Sequence, residues 1–212
     1  MDPIRIVIVE DDVVWRKGLV DYVNKEPDLT VIGMADNPTD AARMLEQLDF
    51  DVVLLDINLS ENNLDGIDLA IDLTQIKPGS KIIMLTSLTD QEIIIESFSA
   101  GAVNFISKLN FKEIPDAIRS AYREHSAIHP TAAAALRLEF MRLKQEEDSK
   151  LLSPSEKEIL HLIHQGQTQS QIEQTLHIAK RTIKNHINRI LKKMGTKSSK
   201  EAAAKAKKKK LF

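Results

Sequence analysis

The stretch Asp51-Val52-Val53-Leu54-Leu55-Asp56 contains a short apolar run that ends in a carboxylate. A polar loop containing Asp65-Gly66 follows it, and an apolar run bounded by turn residues is typical of a fully buried strand. Open α/β folds place their chemistry at the carboxyl ends of parallel strands. The sequence therefore predicts that Asp56 stands at a functional edge of a parallel sheet.

Three further apolar runs end in, or are followed by, polar side chains. Because parallel strands carry their carboxyl ends to one edge, we expect three acids, a hydroxyl and an ammonium to meet there. In chain order these residues are Glu10, Asp11, Asp56, Thr86 and Lys108.

The first 122 residues alternate short apolar runs with helical patterns, giving five strand–helix units. This alternation predicts an α/β fold, a doubly wound five-stranded parallel sheet with helices on both faces. Two pairs, Thr89 with Glu92 and Asn110 with Glu113, have the spacing of a capping box and predict helix starts.

The composition argues against a disulfide-bonded, secreted or membrane protein. The 212 residues include no cysteine, which excludes disulfides and thiolate chemistry. No run approaches the ~20 apolar residues of a membrane span, and no signal peptide is recognised at the start. We therefore expect a cytoplasmic protein with no membrane partner.

The net charge of −2 hides an asymmetry between the two halves. Residues 1–122 include 22 acidic and 10 basic residues. Residues 151–212 include only 4 acidic residues but 14 basic ones. This predicts two domains with different partners, and the basic one is a candidate for binding nucleic acid. A solvated charged surface is the alternative.

The expected organisation is a domain over residues 1–123, a linker over 124–150 and a second domain over 151–212. The linker is rich in Ala and predicts a helix, either a plain connector or a helix that packs on a partner. The last domain has capping boxes at Ser153/Glu156 and Thr168/Gln171. A short helix, a tight turn and a longer helix near Lys180–Met194 then predict a small all-α helix-turn-helix domain.

The acidic edge suggests phosphoryl chemistry. Carboxylates held close together repel one another, and a divalent cation with oxygen ligands, Mg²⁺, relieves that repulsion. Asp56 could then act as a nucleophile that forms an acyl phosphate, with Lys108 neutralising charge and Thr86 donating a hydrogen bond. Singly, each residue has an ordinary alternative: Asp11 or Asp12 could cap a helix, and Lys108 could be a surface charge.

Residues 1–122 resemble the receiver domain of two-component response regulators, with the sheet order 2-1-3-4-5. The matching segments are Ile8-Val9-Glu10-Asp11-Asp12, Asp51-Val52-Val53-Leu54-Leu55-Asp56, Met84-Leu85-Thr86-Ser87 and Gly101-Ala102-Val103-Asn104-Phe105-Ile106-Ser107-Lys108.

The resemblance implies that Asp56 accepts phosphate from a histidine kinase. It implies that Glu10, Asp11 and Asp56 hold Mg²⁺ together with the main-chain carbonyl of Asn58. Thr86 would move toward the phosphoryl group, and Phe105 would be the switch aromatic, although a simple core Phe is the alternative. The chain departs from the family at Leu59-Ser60, usually Met-Pro, at the inserted Glu61-Asn62-Asn63, and at Leu109, usually Pro.

On the longer helix of the last domain, Ile183 and Ile187 are expected to point inward. Asn binds adenine edges and Lys reaches guanine acceptors, so one polar face is a candidate for reading bases, with a solvated amphipathic face as the alternative. The candidate base readers are Lys184, Asn185 and Asn188, and the candidate phosphate contacts are Arg181, Thr182, Arg189 and Lys192.

Residues 151–212 resemble the LuxR-type helix-turn-helix of the NarL/FixJ family. The matching residues include Leu152-Ser153-Pro154-Ser155-Glu156, Gly166, Arg181-Thr182-Ile183-Lys184-Asn185-His186-Ile187 and Ile190-Leu191-Lys192-Lys193-Met194. Ala179 replaces the usual Ser or Thr cap of the longer helix. The family often uses its last helix in dimers, but Lys205 and Lys207–Lys210 crowd it here, so added phosphate affinity or a frayed terminus are alternatives.

The two resemblances together imply a transcriptional regulator that dimerises on phosphorylation, with double-stranded DNA as partner and no enzymatic role beyond its own phosphorylation and dephosphorylation. A second hypothesis is an aspartyl-phosphate hydrolase, although Asn58 occupies the place of the acid it would need. A third is a DNA-binding protein whose affinity does not depend on phosphorylation.

Overall fold

A computed structural model of the chain describes residues 2–60, 64–87, 90–123 and 128–212. The chain divides into two compact units, Met1–Leu138 and Glu139–Phe212. The division falls inside the predicted linker. No helix of the described residues is both long enough and apolar enough to cross a membrane.

The first unit is built on a five-stranded sheet in which every neighbouring pair is parallel. Its order is β2-β1-β3-β4-β5, which confirms the predicted fold class and order. The strands are β1 (Ile4–Val9), β2 (Leu29–Ala35), β3 (Val52–Asp56), β4 (Lys81–Thr86) and β5 (Asn104–Ser107).

The apolar runs form strands because both faces of the sheet are buried. Alternate residues of one strand belong to two different clusters, since successive strand side chains point to opposite faces. In β3, Val53 and Leu55 pack in one cluster, whereas Val52 and Leu54 pack in the other. Continuous apolar runs are what a doubly covered parallel sheet requires.

Helices cover the two faces of this sheet. They are α1 (Val13–Val23), α2 (Pro38–Gln47), α3 (Asp65–Ile76), α4 (Gln91–Ser99) and α5 (Ile114–Tyr122), with a 3-10 turn at Lys108–Glu113.

The predicted capping box at Asn110 and Glu113 is wrong. Ser107 caps the 3-10 turn through its side chain, and Asn110 lies inside that turn with non-helical backbone angles. Glu113 precedes α5 but makes no side-chain cap hydrogen bond. The two side chains instead meet His129, whose Nε2 lies 3.3 Å from Asn110 Nδ2 and 3.2 Å from Glu113 Oε2. Thr89 of the other predicted box lies outside the described residues, as does the insertion Glu61-Asn62-Asn63.

A single helix, α6 (Pro130–Lys150), occupies most of the predicted linker. Its first turns belong to the first unit, where Ala132 and Ala135 are buried in the same cluster as Phe105. From Glu139 onward its residues belong to the second unit.

The second unit also contains four short helices around one apolar core. Ser153/Glu156 and Thr168/Gln171 form complete capping boxes, as predicted, and Ala179 offers no side-chain cap. The helices are α7 (Pro154–His164), α8 (Gln169–Leu176), α9 (Lys180–Met194) and α10 (Ser199–Lys208).

The chain end after α10 is packed rather than frayed. Leu211 is buried in the core, and the Phe212 ring meets His161 edge-on at 5.4 Å. Two lysines at this end of the chain form hydrogen bonds within the second unit. Lys205 Nζ donates to the Met194 carbonyl, and Lys209 Nζ donates to the Asp148 carboxylate.

Candidate functional site

The three predicted acids come together at the carboxyl edge of the sheet. Glu10 follows β1 and Asp56 ends β3, and these two adjacent strands place both carboxyl groups at one edge. Glu10 and Asp56 are buried, whereas Asp11 is exposed. One carboxylate oxygen from each acid lies within 4.8 Å of the others.

Asp12, not Asp11, caps the helix that follows. The Asp12 side chain accepts hydrogen bonds from the backbone N–H groups of Val14 and Trp15 at 2.8 and 2.9 Å. Asp11 is therefore left to face the pocket, and the cap does not explain its presence.

Lys108 joins the two buried acids. Its Nζ lies 2.9 Å from Asp56 Oδ2 and 2.8 Å from Glu10, although the residues are 52 and 98 positions away in the chain. The ammonium also lies 5.2 Å from the centre of the Trp15 ring, within the range of a cation–π contact. A cation enclosed by two carboxylates and a ring face is held in the pocket rather than on the surface.

Burial shifts the ionisation of the pocket. It raises the pKa of Glu10 and of Asp56 above their ordinary values, and hydrogen bonds from Lys108 oppose but do not cancel this. Burial lowers the pKa of Lys108, but the two neighbouring acids raise it by more than burial lowers it. The pKa of Lys108 therefore lies above its ordinary value. The pocket thus holds two acids that are costly to ionise together, which is typical of a functional site.

The other three predicted residues of this site, Thr86, Phe105 and Asn58, lie on β4, on β5 and in the loop after β3. Thr86 is buried at the end of β4, next to β3 in the sheet. The Phe105 side chain is buried in β5, and Asn58 is half-buried two residues after Asp56.

The donor set suits a hard divalent cation. All three side chains offer carboxylate oxygens as ligands, and these oxygens lie close enough together to bind one ion. The Lys108 ammonium, 2.8 Å from Glu10 Oε2, offsets part of the negative charge of the three acids, and a divalent cation beside Asp11 would offset the rest.

The start of α3, at Gly66, packs closely against the chain at the end of β3. Gly66 N donates to the Ile57 carbonyl at 2.9 Å, and a Cβ at Gly66 would lie 1.9 Å from the Asp56 carbonyl oxygen. Asp65 ties the loop from the other side, accepting from Leu59 N and from the Ser60 hydroxyl. Glycine is required here because no side chain fits between the helix start and the strand.

Two residues of the site were missed by the sequence reasoning. The Arg16 guanidinium donates to the carbonyls of Glu10 and Asp11 and pairs with Asp36 at 3.3 Å. Trp15 lies beside Lys108. Both sit in the first turns of α1, directly after the acidic pair, and that position was the available signal.

The second unit carries the other candidate site, on α9. Ile183, Ile187, Ile190 and Met194 bury one face of this helix. All seven predicted contact residues are exposed, and none makes a side-chain hydrogen bond or ion pair with the described chain. They are Arg181, Thr182, Lys184, Asn185, Asn188, Arg189 and Lys192.

Lys193 differs from its neighbours because it is used inside the unit. Its Nζ donates at 2.7 Å to the buried carboxylate of Glu156, which also completes the cap of α7. Burial raises the pKa of Glu156, but the hydrogen bonds from Lys193 and Ser153 outweigh it and leave the pKa below its ordinary value. This pair fixes the end of α9 against the start of α7, and it does not involve any of the seven predicted contact residues.

Comparison with known families gives two matches that cover the two units in turn. A model described as the response regulator receiver domain matches residues 6–119, and one described as bacterial regulatory proteins of the luxR family matches residues 150–206.

Curated relatives match this chain over nearly its whole length. The chain is 31% identical over 202 residues to the DNA-binding transcriptional activator DevR/DosR of Mycobacterium tuberculosis, covering 94% of this chain and 92% of that one. It is 30% identical over 209 residues to the nitrate/nitrite response regulator NarL of Escherichia coli, covering 95% and 94%. Among solved structures, the response regulator ChrA of a heme-sensing two-component system aligns over 100% of both chains, with 25% identity and a TM-score of 0.51.

Proposed function

The chain belongs to the two-component response regulators that join a receiver domain to a LuxR-type DNA-binding domain, and we propose that phosphorylation of Asp56 switches it. It is a DNA-binding transcriptional regulator of a two-component system. The observation that carries the proposal is the buried group of Glu10, Asp56 and Lys108 at the sheet edge.

In the proposed reaction a carboxylate oxygen of Asp56 attacks the phosphorus of a phosphohistidine on the partner kinase. The P–N bond to the histidine breaks as the new O–P bond forms, and the product is an acyl phosphate. Lys108 stays beside the developing charge, since its ammonium already contacts Asp56.

Glu10, Asp11 and Asp56, with the main-chain carbonyl of Asn58, would hold Mg²⁺. When bound, Mg²⁺ neutralises negative charge on the phosphoryl oxygens. The close approach of the carboxylate oxygens of Glu10, Asp11 and Asp56, and the exposure of Asp11, support that site.

The switch would pass through Thr86 and Phe105. The Thr86 hydroxyl would move to donate a hydrogen bond to the phosphoryl group and make room for the Phe105 ring. Phe105 is already buried in this structure, in the cluster that also contains Ala132 and Ala135 of α6. We propose that a change at Phe105 reaches the first turns of α6 through this shared apolar cluster.

The functional division follows the predicted boundaries, with a receiver over residues 1–123, a linker over 124–150 and a DNA-binding domain over 151–212. Phosphorylated chains would dimerise and place two α9 helices in successive major grooves. Lys184, Asn185 and Asn188 would read bases, and Arg181, Thr182, Arg189 and Lys192 would contact phosphates. A DNA partner supports a cytoplasmic location for the protein.

The first test is phosphoryl incorporation from acetyl phosphate in the presence of Mg²⁺. Asp56→Asn should abolish incorporation because it removes the nucleophile, whereas Asp72→Asn, an exposed control on α3, should not change it. Undiminished incorporation in Asp56→Asn would contradict the site. Continuous release of phosphate from many donor molecules would instead favour a hydrolase.

A further inference from the structure

The second half of α6 exposes more apolar surface than a helix without a partner requires. Phe140, Met141 and Leu143 are 69%, 61% and 51% exposed. Single exposed apolar side chains are ordinary, but a contiguous group of large ones marks an interaction site. Inside its own unit the helix is held from an adjoining face, where Asp148 accepts from Lys209.

The apolar residues have the spacing of a coiled-coil contact. Phe140 and Leu143, both in the second unit, are three residues apart, which corresponds to positions a and d of a heptad. We propose that this face, which we call the α6 seam, pairs in parallel with the same face of a second copy of the chain. The proposal rests on the proposed function, because phosphorylated receivers are what bring the two copies together.

Charge complementarity favours a second copy in the parallel orientation. Glu139 and Lys144 flank the seam at positions g and e, five residues apart. In a parallel pair, Glu139 of each copy meets Lys144 of the other, giving two ion pairs between the helices. An antiparallel pair would instead bring Glu139 of each copy toward Glu146 of the other, and these are like charges.

The helix is already formed before any pairing. Glu139 pairs with Arg142, and Lys144 pairs with Glu147, within the same helix. Pairs at these spacings stabilise a helix that lacks tertiary support. The exposed Lys144–Glu147 pair can exchange for an ion pair between copies at little cost, since such surface pairs contribute at most ~1 kcal/mol.

The seam is too small to dimerise the chain alone. A stable interface buries about 800 Å² per partner, and the two apolar side chains of the seam, one of them aromatic, bury much less than that. Glu147 continues the same face and would oppose its own copy, which ends the contact. The seam therefore adds affinity only after the receivers raise the effective concentration to roughly millimolar. This makes the pairing dependent on phosphorylation.

The natural absence of cysteine allows a direct test by crosslinking. In a parallel pair the two copies of position 143 face each other, so L143C should form a disulfide between chains under mild oxidation. S149C is the matched control, exposed and outside the seam on the same helix. With Mg²⁺ and beryllofluoride present, L143C should give about tenfold more crosslinked dimer than S149C, because a disulfide needs Cα atoms within about 7 Å.

Two outcomes separate the seam from the proposed function. If light scattering shows a dimer with beryllofluoride but L143C does not crosslink, or crosslinks no better than S149C, the seam is wrong and the switch stands. If no dimer forms with beryllofluoride, the dimerisation step fails and the seam fails with it.

A second variant tests the seam by strengthening it. E147L would extend the apolar face by one position and should lower the dimer dissociation constant of the unphosphorylated chain about tenfold or more, since a buried Leu contributes at least that much. E147K, which keeps like charges opposed, should produce no such shift. Equal behaviour of the two variants would contradict the proposal.

Discussion

The pocket at the sheet edge and the exposed surface of α9 hold similar numbers of charged groups. The charges are buried and paired in the pocket but exposed and unpaired among the predicted contact residues of α9. In the pocket, Glu10 and Asp56 are buried and share one internal cation, Lys108. On α9, the four cations predicted to contact DNA are exposed and make no hydrogen bond or ion pair with another described side chain. The first arrangement suits a reaction at a fixed point, and the second suits binding to an extended polyanion.

The difference shows where chemistry and affinity come from. A buried charge acts strongly because little water screens it, and its geometry must be built by distant parts of the chain. An exposed charge acts weakly alone, but several of them release counterions when they meet DNA phosphates. Variants in the pocket should therefore change stability and chemistry together, whereas variants on α9 should change binding alone.

The largest expected effect tests the backbone geometry of the pocket. Gly66→Ala should lower the free energy of unfolding of the receiver by about 3 kcal/mol, because its Cβ would overlap the Asp56 carbonyl oxygen. Chemical denaturation followed by circular dichroism measures this.

Gly18→Ala is the control for that measurement. Nothing lies within 4 Å of a Cβ at Gly18, which is inside α1. This substitution should stabilise the chain by about 0.5–1 kcal/mol through helix propensity. A loss of stability equal to that of Gly66→Ala would show that the close approach at Gly66 is not the cause.

The next effect concerns the internal cation. Lys108→Met should slow phosphoryl incorporation from acetyl phosphate by about 100-fold, because the developing charge loses its positioned donor. Lys112→Met removes an exposed lysine from the same 3-10 turn and should leave the rate unchanged. A rate for Lys108→Met equal to that of Lys112→Met would break the distinction between buried and exposed cations.

On the α9 side, Lys184→Ala should weaken binding to a specific site by about 1–3 kcal/mol and change nonspecific binding much less. Lys192→Ala should weaken binding to all DNA. It should also lower by about one the number of counterions released on binding, which is measured as the slope of log affinity against log salt concentration. Fluorescence anisotropy with specific and random duplexes at several salt concentrations measures both.

Neither α9 variant should shift the unfolding free energy by more than about 0.5 kcal/mol, as both side chains are exposed. Equal losses on both duplexes for Lys184→Ala would remove its role in reading bases.

The smallest effect is a pH dependence. Burial raises the pKa of Glu10 from 4.5 to about 7, so over this window the metal-free receiver loses stability as pH rises and Glu10 is forced to ionise. Cation binding has the opposite dependence, since a proton on Glu10 competes with the metal. Mg²⁺ affinity should thus fall up to about tenfold from pH 8 to pH 6.

Trp15, the single tryptophan, lies beside Lys108 and can report the Mg²⁺ titration by fluorescence. Glu10→Gln cannot titrate at this position and should flatten the pH dependence while lowering the affinity. An affinity that rises toward low pH would contradict the assigned direction.

Much of the fold was predictable because its signals are local. The apolar runs, the capping boxes at Ser153 and Thr168, and the buried stripe of α9 each depend on neighbouring residues. The sheet order and the family were anticipated from the motifs at the strand ends, where Asp56 and Lys108 stand.

The rest depends on contacts between residues far apart in the chain, which have no local pattern. Lys193 and Glu156 are 37 positions apart in the chain, and no pattern of spacing in the sequence predicts their ion pair. Asn110 and Glu113 had the spacing of a capping box, but Ser107 took the role of cap one turn earlier. A propensity argument cannot decide between two competing caps.

The most direct test of the account is to locate the phosphoryl group on the protein. The chain is incubated with acetyl phosphate and Mg²⁺, the acyl phosphate is trapped by borohydride reduction, and the modified residue is mapped by peptide mass spectrometry. We expect modification at Asp56 alone. Modification at another residue, or none at all with Mg²⁺ present, would contradict the account.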